Sequence, residues 1–284
     1  MEEYILVTEP AREIRRMARA ALKGHWKTAI LAYVLCVALL VAPIFMIVFI
    51  FGKFGGGFDI ADDYAFGGGI ALLYIFVIIG PLLLGGAAFF LALVRGETPG
   101  HDAIFGGFNN FFRALGLFLL AWIFEYLWSM LFLIPGIIAA YAYTQTFFLL
   151  ADNPQTGPFR AIRRSRRLMV GNKWKFFCLQ ISFIGWSLLL YAVYFALMFP
   201  FSVVPLTDLT TVLLILVLTV VLPAPLVVYA GTSFAVFHDI LTGRRCLPAA
   251  GAGGGFASGA NDAEARRFSA DAGSAGARGG GIEL

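Results

Sequence analysis

Charge is scarce in this sequence. Asp, Glu, Lys and Arg make up 13% of its 284 residues, where a soluble domain carries about 25%. Hydrophobic residues make up 60%, and the mean hydropathy is +0.84. The apolar residues also run too long for a water-soluble core. Cysteine is equally sparse. Cys36, Cys178 and Cys246 are too far apart for a disulfide framework or a zinc site and read as small apolar fillers. The only histidines are His25, His101 and His238. H-E-x-x-H, G-x-S-x-G and a P-loop Lys are all missing, which removes the usual hydrolase, metalloprotease and nucleotide signatures. A non-enzymatic protein with no cofactor and no metal is expected. No cleavable signal peptide is expected either, because about 27 polar or amphipathic residues precede the first apolar run, itself too long for a signal.

What is present is six apolar runs, at 28–51, 68–94, 114–134, 136–151, 176–199 and 211–237. Most reach the ~20 residues that cross ~30 Å of hydrocarbon. The fourth is short, but one helix from 114 to 151 would be about 57 Å long at ~1.5 Å per residue. Pro135-Gly136 stands in its middle, so a hairpin is predicted there. Charge agrees. Of 21 Lys and Arg, 20 fall on one side of a six-span arrangement and only Lys53 on the other, beside Asp59, Asp62 and Asp63. The positive-inside bias then predicts both termini in the cytoplasm. The net charge of +4 and pI near 9.0 point to anionic lipid headgroups as partners, not nucleic acid, because the bases flank spans.

Three segments before the odd-numbered spans pattern as interfacial amphipathic helices. In the first, Arg12, Arg16, Arg19, Lys23 and Lys27 share one face, with Ile14, Ala18, Ala21 and His25 opposite, and Thr8 and Pro10 mark the start. In the second, Ile104, Phe105, Phe108, Phe111 and Phe112 form a stripe after Thr98-Pro99. In the third, Arg160, Arg163, Arg164 and Arg167 face away from Ile162, Ser165, Leu168 and Met169. These arginines and lysines, with Lys173 and Lys175, are the expected headgroup contacts, and Trp26 and Trp174 the expected interfacial anchors. The order of interfacial helix, span out and span back suggests a threefold hairpin pseudo-repeat. Its return helices share Pro81, Pro135 and Pro225, and Phe90 and Phe234 fall at one offset after two of them. The chain thus divides into an N-terminal amphipathic helix (1–27), a six-span membrane domain (28–240) and a Gly/Ala-rich tail (241–284) expected to be disordered and cytoplasmic.

Glu125 is the one charged residue deep inside a predicted span. An ionised acid at mid-bilayer costs about 3 kcal/mol. Gln145 lies as far after Pro135 as Glu125 lies before it, with Tyr141, Tyr143, Thr144 and Thr146 close in sequence. Two readings follow. Glu125, Gln145, Thr144 and Tyr141 form a polar site with Glu125 as proton or cation carrier, or they hydrogen-bond as interhelical glue. His238-Asp239 reads as a helix-end cap, Asp152-Asn153-Pro154 as a helix stop, and Gly55-Gly56-Gly57 with Gly67-Gly68-Gly69 as a flexible loop.

A longer pattern spans the middle of the chain. Ile134-Pro135-Gly136-Ile137-Ile138, Tyr143 and Ala151-Asp152-Asn153-Pro154 are followed by Ser165, Met169, Gly171, Lys173-Trp174-Lys175 and Phe177. Ser182-Phe183-Ile184-Gly185-Trp186 complete it, and Leu22-Lys23-Gly24-His25-Trp26 opens the chain in kind. This pattern resembles the domain of unknown function nine-seven-five family of bacterial integral membrane proteins over roughly residues 8–240. The resemblance implies a polytopic protein of the bacterial cytoplasmic membrane. It implies no activity, substrate or catalytic residue.

The expectation is therefore an all-α, six-span membrane protein that binds lipid or a membrane partner, including a homo-oligomer, as an envelope or transport accessory. The alternative is a small-solute or ion transporter or channel built around Glu125. Polar residues converging on Glu125 in a cavity would favour transport, and a sealed core with an exposed apolar flank would favour partner binding. An acid–base cluster at the cytoplasmic headgroups, with His238 and Asp239, would favour an enzyme acting on lipid.

Overall fold

The structure is a computed structural model and describes residues 6–54, 60–198 and 217–244. The described residues contain no strand. The helices are α1 (Ala11–Leu22), α2 (Trp26–Phe54), α3 (Ile60–Val94), a 3-10 helix (His101–Asn110), α4 (Phe111–Leu131), α5 (Leu133–Tyr143), α6 (Thr146–Asp152), α7 (Pro158–Leu168), α8 (Lys173–Met198) and α9 (Ala224–Leu241), with a π-helical turn at Val217–Val221 before α9. Six stretches are long and apolar enough to cross a membrane: Trp26–Ile47, Phe66–Val94, Asp102–Leu131, Ile134–Asp152, Lys173–Ala196 and Ala224–Leu241. This is an all-α multi-pass membrane protein. The tail from 245 onward, Gly55-Gly56-Gly57, and residues 211–216 at the start of the expected sixth span lie outside the described residues.

Several boundaries move for identifiable reasons. The hairpin between the third and fourth spans turns at Phe132 (φ −160°, ψ 147°), not at Pro135-Gly136. Pro135 sits in the first turn of α5, where its missing N–H leaves no intrahelical bond unmade. Gly136 serves close approach instead: a Cβ there would lie 2.8 Å from Ser129 Cα on the facing helix. Pro223 and Pro225 likewise stand at the start of α9, after the π-helical turn at Val217–Val221. Pro81 alone of the three return-helix prolines is interior to its helix. Gly67-Gly68-Gly69 belong to α3, not to a loop.

The predicted interfacial helices pack differently from the expectation. α1 forms with Ile14, Ala18 and Leu22 fully buried, and these side chains join the core built by α3, α8 and α9. α7 buries Ala161, Ile162 and Ser165. Ala161 and Ile162 sit in a cluster with Ala114, Leu117, Tyr143 and Leu150. Their apolar faces are thus spent on the protein itself, not on lipid. Arg12, Arg16, Arg19, Lys23, Arg160, Arg163, Arg164 and Arg167 remain exposed on the opposite faces. The second segment is a 3-10 helix with a threefold repeat. That period sends Ile104 and Gly107 inward and leaves Phe105 exposed, breaking the expected single stripe. Trp174 is 70% exposed, as an anchor requires, whereas Trp26 is partly buried against the cluster around Leu22, Ala29 and Val228.

The spans weave back and forth, and side-chain bonds mark the end they share. Arg95 just after α3, Asp152 at the end of α6 and Asp239 near the end of α9 are joined by ion pairs. Arg113 at the start of α4 donates to the Pro154 carbonyl (2.6 Å). Val7 N–H donates to Asn172 Oδ1 (2.9 Å) just before α8. The ends of the second, fourth and sixth spans and the starts of the third and fifth therefore meet on one side, which is also where α1 and α7 pack. α9 is central there: Ala235 through Leu241 are buried without interruption, as a helix surrounded on all sides must be.

Candidate functional site

The fourth span is broken. α5 ends at Tyr143 and α6 begins at Thr146, with Gln145 near φ −90°, ψ 1° between them. The last carbonyls of a helix lack intrahelical partners. Three hydroxyls take them up. Thr144 Oγ1 donates to the Tyr141 carbonyl (3.0 Å), Ser165 Oγ from α7 to Ala142 (2.7 Å), and Thr146 Oγ1 to Tyr143 (2.7 Å). The break is thus built into the fold, and it sends consecutive side chains to two different places.

Thr144 goes one way, into a groove of about 550 Å³ between the α4–α5 hairpin, α6 and α8. Glu125, Ser129, Tyr141, Thr144 and Gln180 supply its polar atoms, and Phe118, Trp122 and Phe147 much of its apolar wall. Tyr141 packs edge-on against Phe176 and Phe177 (6.2 and 5.8 Å), where α8 begins. Phe76 packs edge-on against Trp122 at 5.3 Å and holds it in the wall. Among the described residues Glu125 has no hydrogen-bond or ion-pair partner, and none of the Lys, Arg or His residues lines the groove.

Gln145 goes the other way. It is fully buried and lies 3.2 Å from Nδ1 of His238. Of the four residues expected to form one site, Glu125, Tyr141 and Thr144 meet at the groove and Gln145 does not. His238, 0% exposed, hydrogen-bonds through Nε2 with Asp152 Oδ2 (2.9 Å) and stacks on Phe148 (5.5 Å). The Nδ1 contact is to the Gln145 amide oxygen, and the amide nitrogen has no partner among the described residues. Arg95 Nη2 donates to Asp152 Oδ1 (2.6 Å) and Asp239 Oδ1 (2.9 Å), and Arg244 Nη1 adds a bond to Asp152 (3.2 Å). Burial alone would lower the Arg95 pKa. Hydrogen bonding and attraction from Asp239 and Asp152 overcome it and hold the guanidinium above its ordinary value.

This cluster clamps the ends of three spans. The helix-cap reading of His238-Asp239 and the helix-stop reading of Asp152 missed it, and Arg95 had counted only as a basic residue. A signal existed: all three lie at the shared end of even-numbered spans, and Arg95 follows Pro81 at the offset by which Asp239 follows Pro225. Both ring nitrogens of His238 are engaged and the ring is sealed, so the cluster offers no open acid–base site. Among the described residues no group of His, Cys, Asp and Glu could hold a metal ion.

Several residues of the mid-chain pattern now have a place. Gly136 lets α5 approach α4 beside the turn at Phe132, Asp152 belongs to the clamp, and Ser165 caps the break. Met169 is buried in the core, and Asn172 ties α8 to the segment before α1. Gly171 adopts φ 78°, a left-handed turn that glycine takes without a Cβ penalty. Residues 130–245 match the family described as "Protein of unknown function (DUF975)". Over that stretch the chain is similar to the DUF975 family. The matched stretch covers the hairpin turn, the broken span, α7, α8 and α9, so both the clamp's acidic side and part of the groove wall fall within it. No curated protein matches the chain, and no solved structure does.

Proposed function

We propose that this protein is a non-enzymatic lipid-binding accessory of the bacterial cytoplasmic membrane, with both termini in the cytoplasm. The observation that carries this reading is the groove between the α4–α5 hairpin and α8. It opens on a flank where Trp122, Leu127, Ile137 and Ile184 are exposed, so a membrane amphiphile can enter sideways from the bilayer. A lipid chain is held there by dispersion with the apolar wall, and its polar end by the hydroxyls and amide. The basic faces of α1 and α7, with Lys173 and Lys175, flank the end at which the spans are clamped. They add attraction for anionic headgroups and favour a cytoplasmic position for that end. A membrane protein partner or a second copy of the chain is a further occupant of the exposed flank. Nucleic acid is not a partner in this reading.

A photoactivatable phospholipid in lipid discs tests it. Label is expected on α4 and α5 at the groove, and filling the groove with Ala140→Trp is expected to remove it. Uniform labelling of all exposed spans, unchanged in that variant, would defeat the reading.

A second reading is transport, favoured by one observation: the fourth span is interrupted beside an unpartnered carboxyl group. Interrupted spans in transporters place free backbone and polar groups at a substrate site. Solute flux in proteoliposomes that Glu125→Gln abolishes would move this reading to first place.

A further inference from the structure

The groove's chemistry selects its ligand's charge. Among the described residues Glu125 is the only charged side chain that lines it, and it has no hydrogen-bond or ion-pair partner there. Ionised in the membrane, it carries an energetic penalty that a counter-charge in the groove would offset. Five aromatic rings line the same space: Phe118, Trp122, Tyr141, Tyr143 and Phe147. Aromatic faces attract cations, more strongly where water is excluded. Ser129, Thr144 and Gln180 can accept hydrogen bonds from an ammonium group. An anionic ligand would meet a carboxylate with no base to answer it.

We infer that the groove binds amphiphilic organic cations, an ammonium or phosphonium centre on an apolar body, with Glu125 as the counter-ion. This rests on the groove being a binding site and adds the sign of the ligand. Anionic lipid remains a matter for the arginine-rich faces of α1 and α7, which do not line the groove.

Two probes of matched shape and opposite charge separate the possibilities: tetraphenylphosphonium and tetraphenylborate. Equilibrium binding of each is measured to the full chain in zwitterionic lipid discs, with protein-free discs as the blank. The wild-type chain is expected to bind the phosphonium saturably, at least tenfold more weakly as Glu125→Gln, with recovery in Glu125→Asp. Tetraphenylborate is expected to show no saturable binding above the blank. Glu125 is exposed and makes no bond within the described protein, so its conservative variants keep the fold. Equal or tighter binding of the borate, phosphonium binding unchanged in Glu125→Gln, or no saturable binding of either ion would overturn the inference. If phospholipid labelling of the groove nevertheless persists, only the charge assignment falls; if it too is lost, the binding-site reading falls with it.

Discussion

His238 Nε2 stands 2.9 Å from Asp152 Oδ2, fastening the end of the sixth span to the end of the fourth. Arg95 extends the bond to the second span through Asp152 and Asp239, whose side chains are 7% and 1% exposed. An up-and-down bundle in lipid has little hydrophobic force to hold its helices together. A charged clamp at one end supplies a fixed register there and leaves the rest of the hairpin and α8 free to stand apart. The groove opens where that separation begins.

Removing Arg95 strips the buried Asp239 carboxylate of its ion-pair partner, while Asp152 keeps His238 and Arg244. Arg95→Leu is expected to destabilise the protein by about 3–5 kcal/mol, read as a lower unfolding midpoint in detergent. Adding Asp239→Asn is expected to recover most of that loss, since the penalty is the uncompensated Asp239 charge and not the missing attraction.

Ser165→Ala leaves the Ala142 carbonyl without its cap in a buried position. A loss of about 1–3 kcal/mol is expected. Ser165→Thr, which keeps the hydroxyl, is expected to lose less if its methyl fits. Hydrogen exchange should accelerate locally at the Thr144–Gln145 break in the Ala variant.

Gly171 holds φ 78° with Leu6 packed beside it. Gly171→Val puts a β-branched residue into the left-handed region and is expected to cost about 1–2 kcal/mol or more. The change should loosen the contact between Val7 and Asn172 and expose the segment before α1 to protease.

Neutralising Arg160, Arg163, Arg164 and Arg167 together is expected to reduce retention of anionic lipid severalfold without unfolding α7, whose buried face is Ala161, Ile162 and Ser165. Retention by the wild-type chain should fall as salt rises. A reporter at residue 157 is expected in the cytoplasm. Finding it outside would reverse the membrane orientation.

The six apolar spans, a hairpin close to Pro135 (its turn falls at Phe132) and the amphipathic character of α1 and α7 were legible because each is local: run length, proline and charge spacing all act within a few residues. The docking of α1 was not. A basic amphipathic face looks the same whether its apolar side meets lipid or α9, and only the bundle decides. The clamp was illegible for a related reason. Arg95, Asp152 and His238 lie far apart in sequence, and each alone satisfies a bland local rule. The alternation of spans held the clue, since it puts all three at one end. Gln145 was assigned to Glu125 by equal distance from Pro135. The break at Thr144–Gln145 rotates it to the opposite face, something continuous helical geometry could not foresee.

The central claim is that the groove beside Glu125 is an occupied binding site. The most direct measurement is a native mass spectrum of the protein released from native lipid discs, for the wild-type chain and for Ala140→Trp. Retained lipid or amphiphile adducts on the wild-type chain, lost in the variant while its spans stay folded, are the predicted result. A bare chain in both, or identical adducts in both, would contradict it.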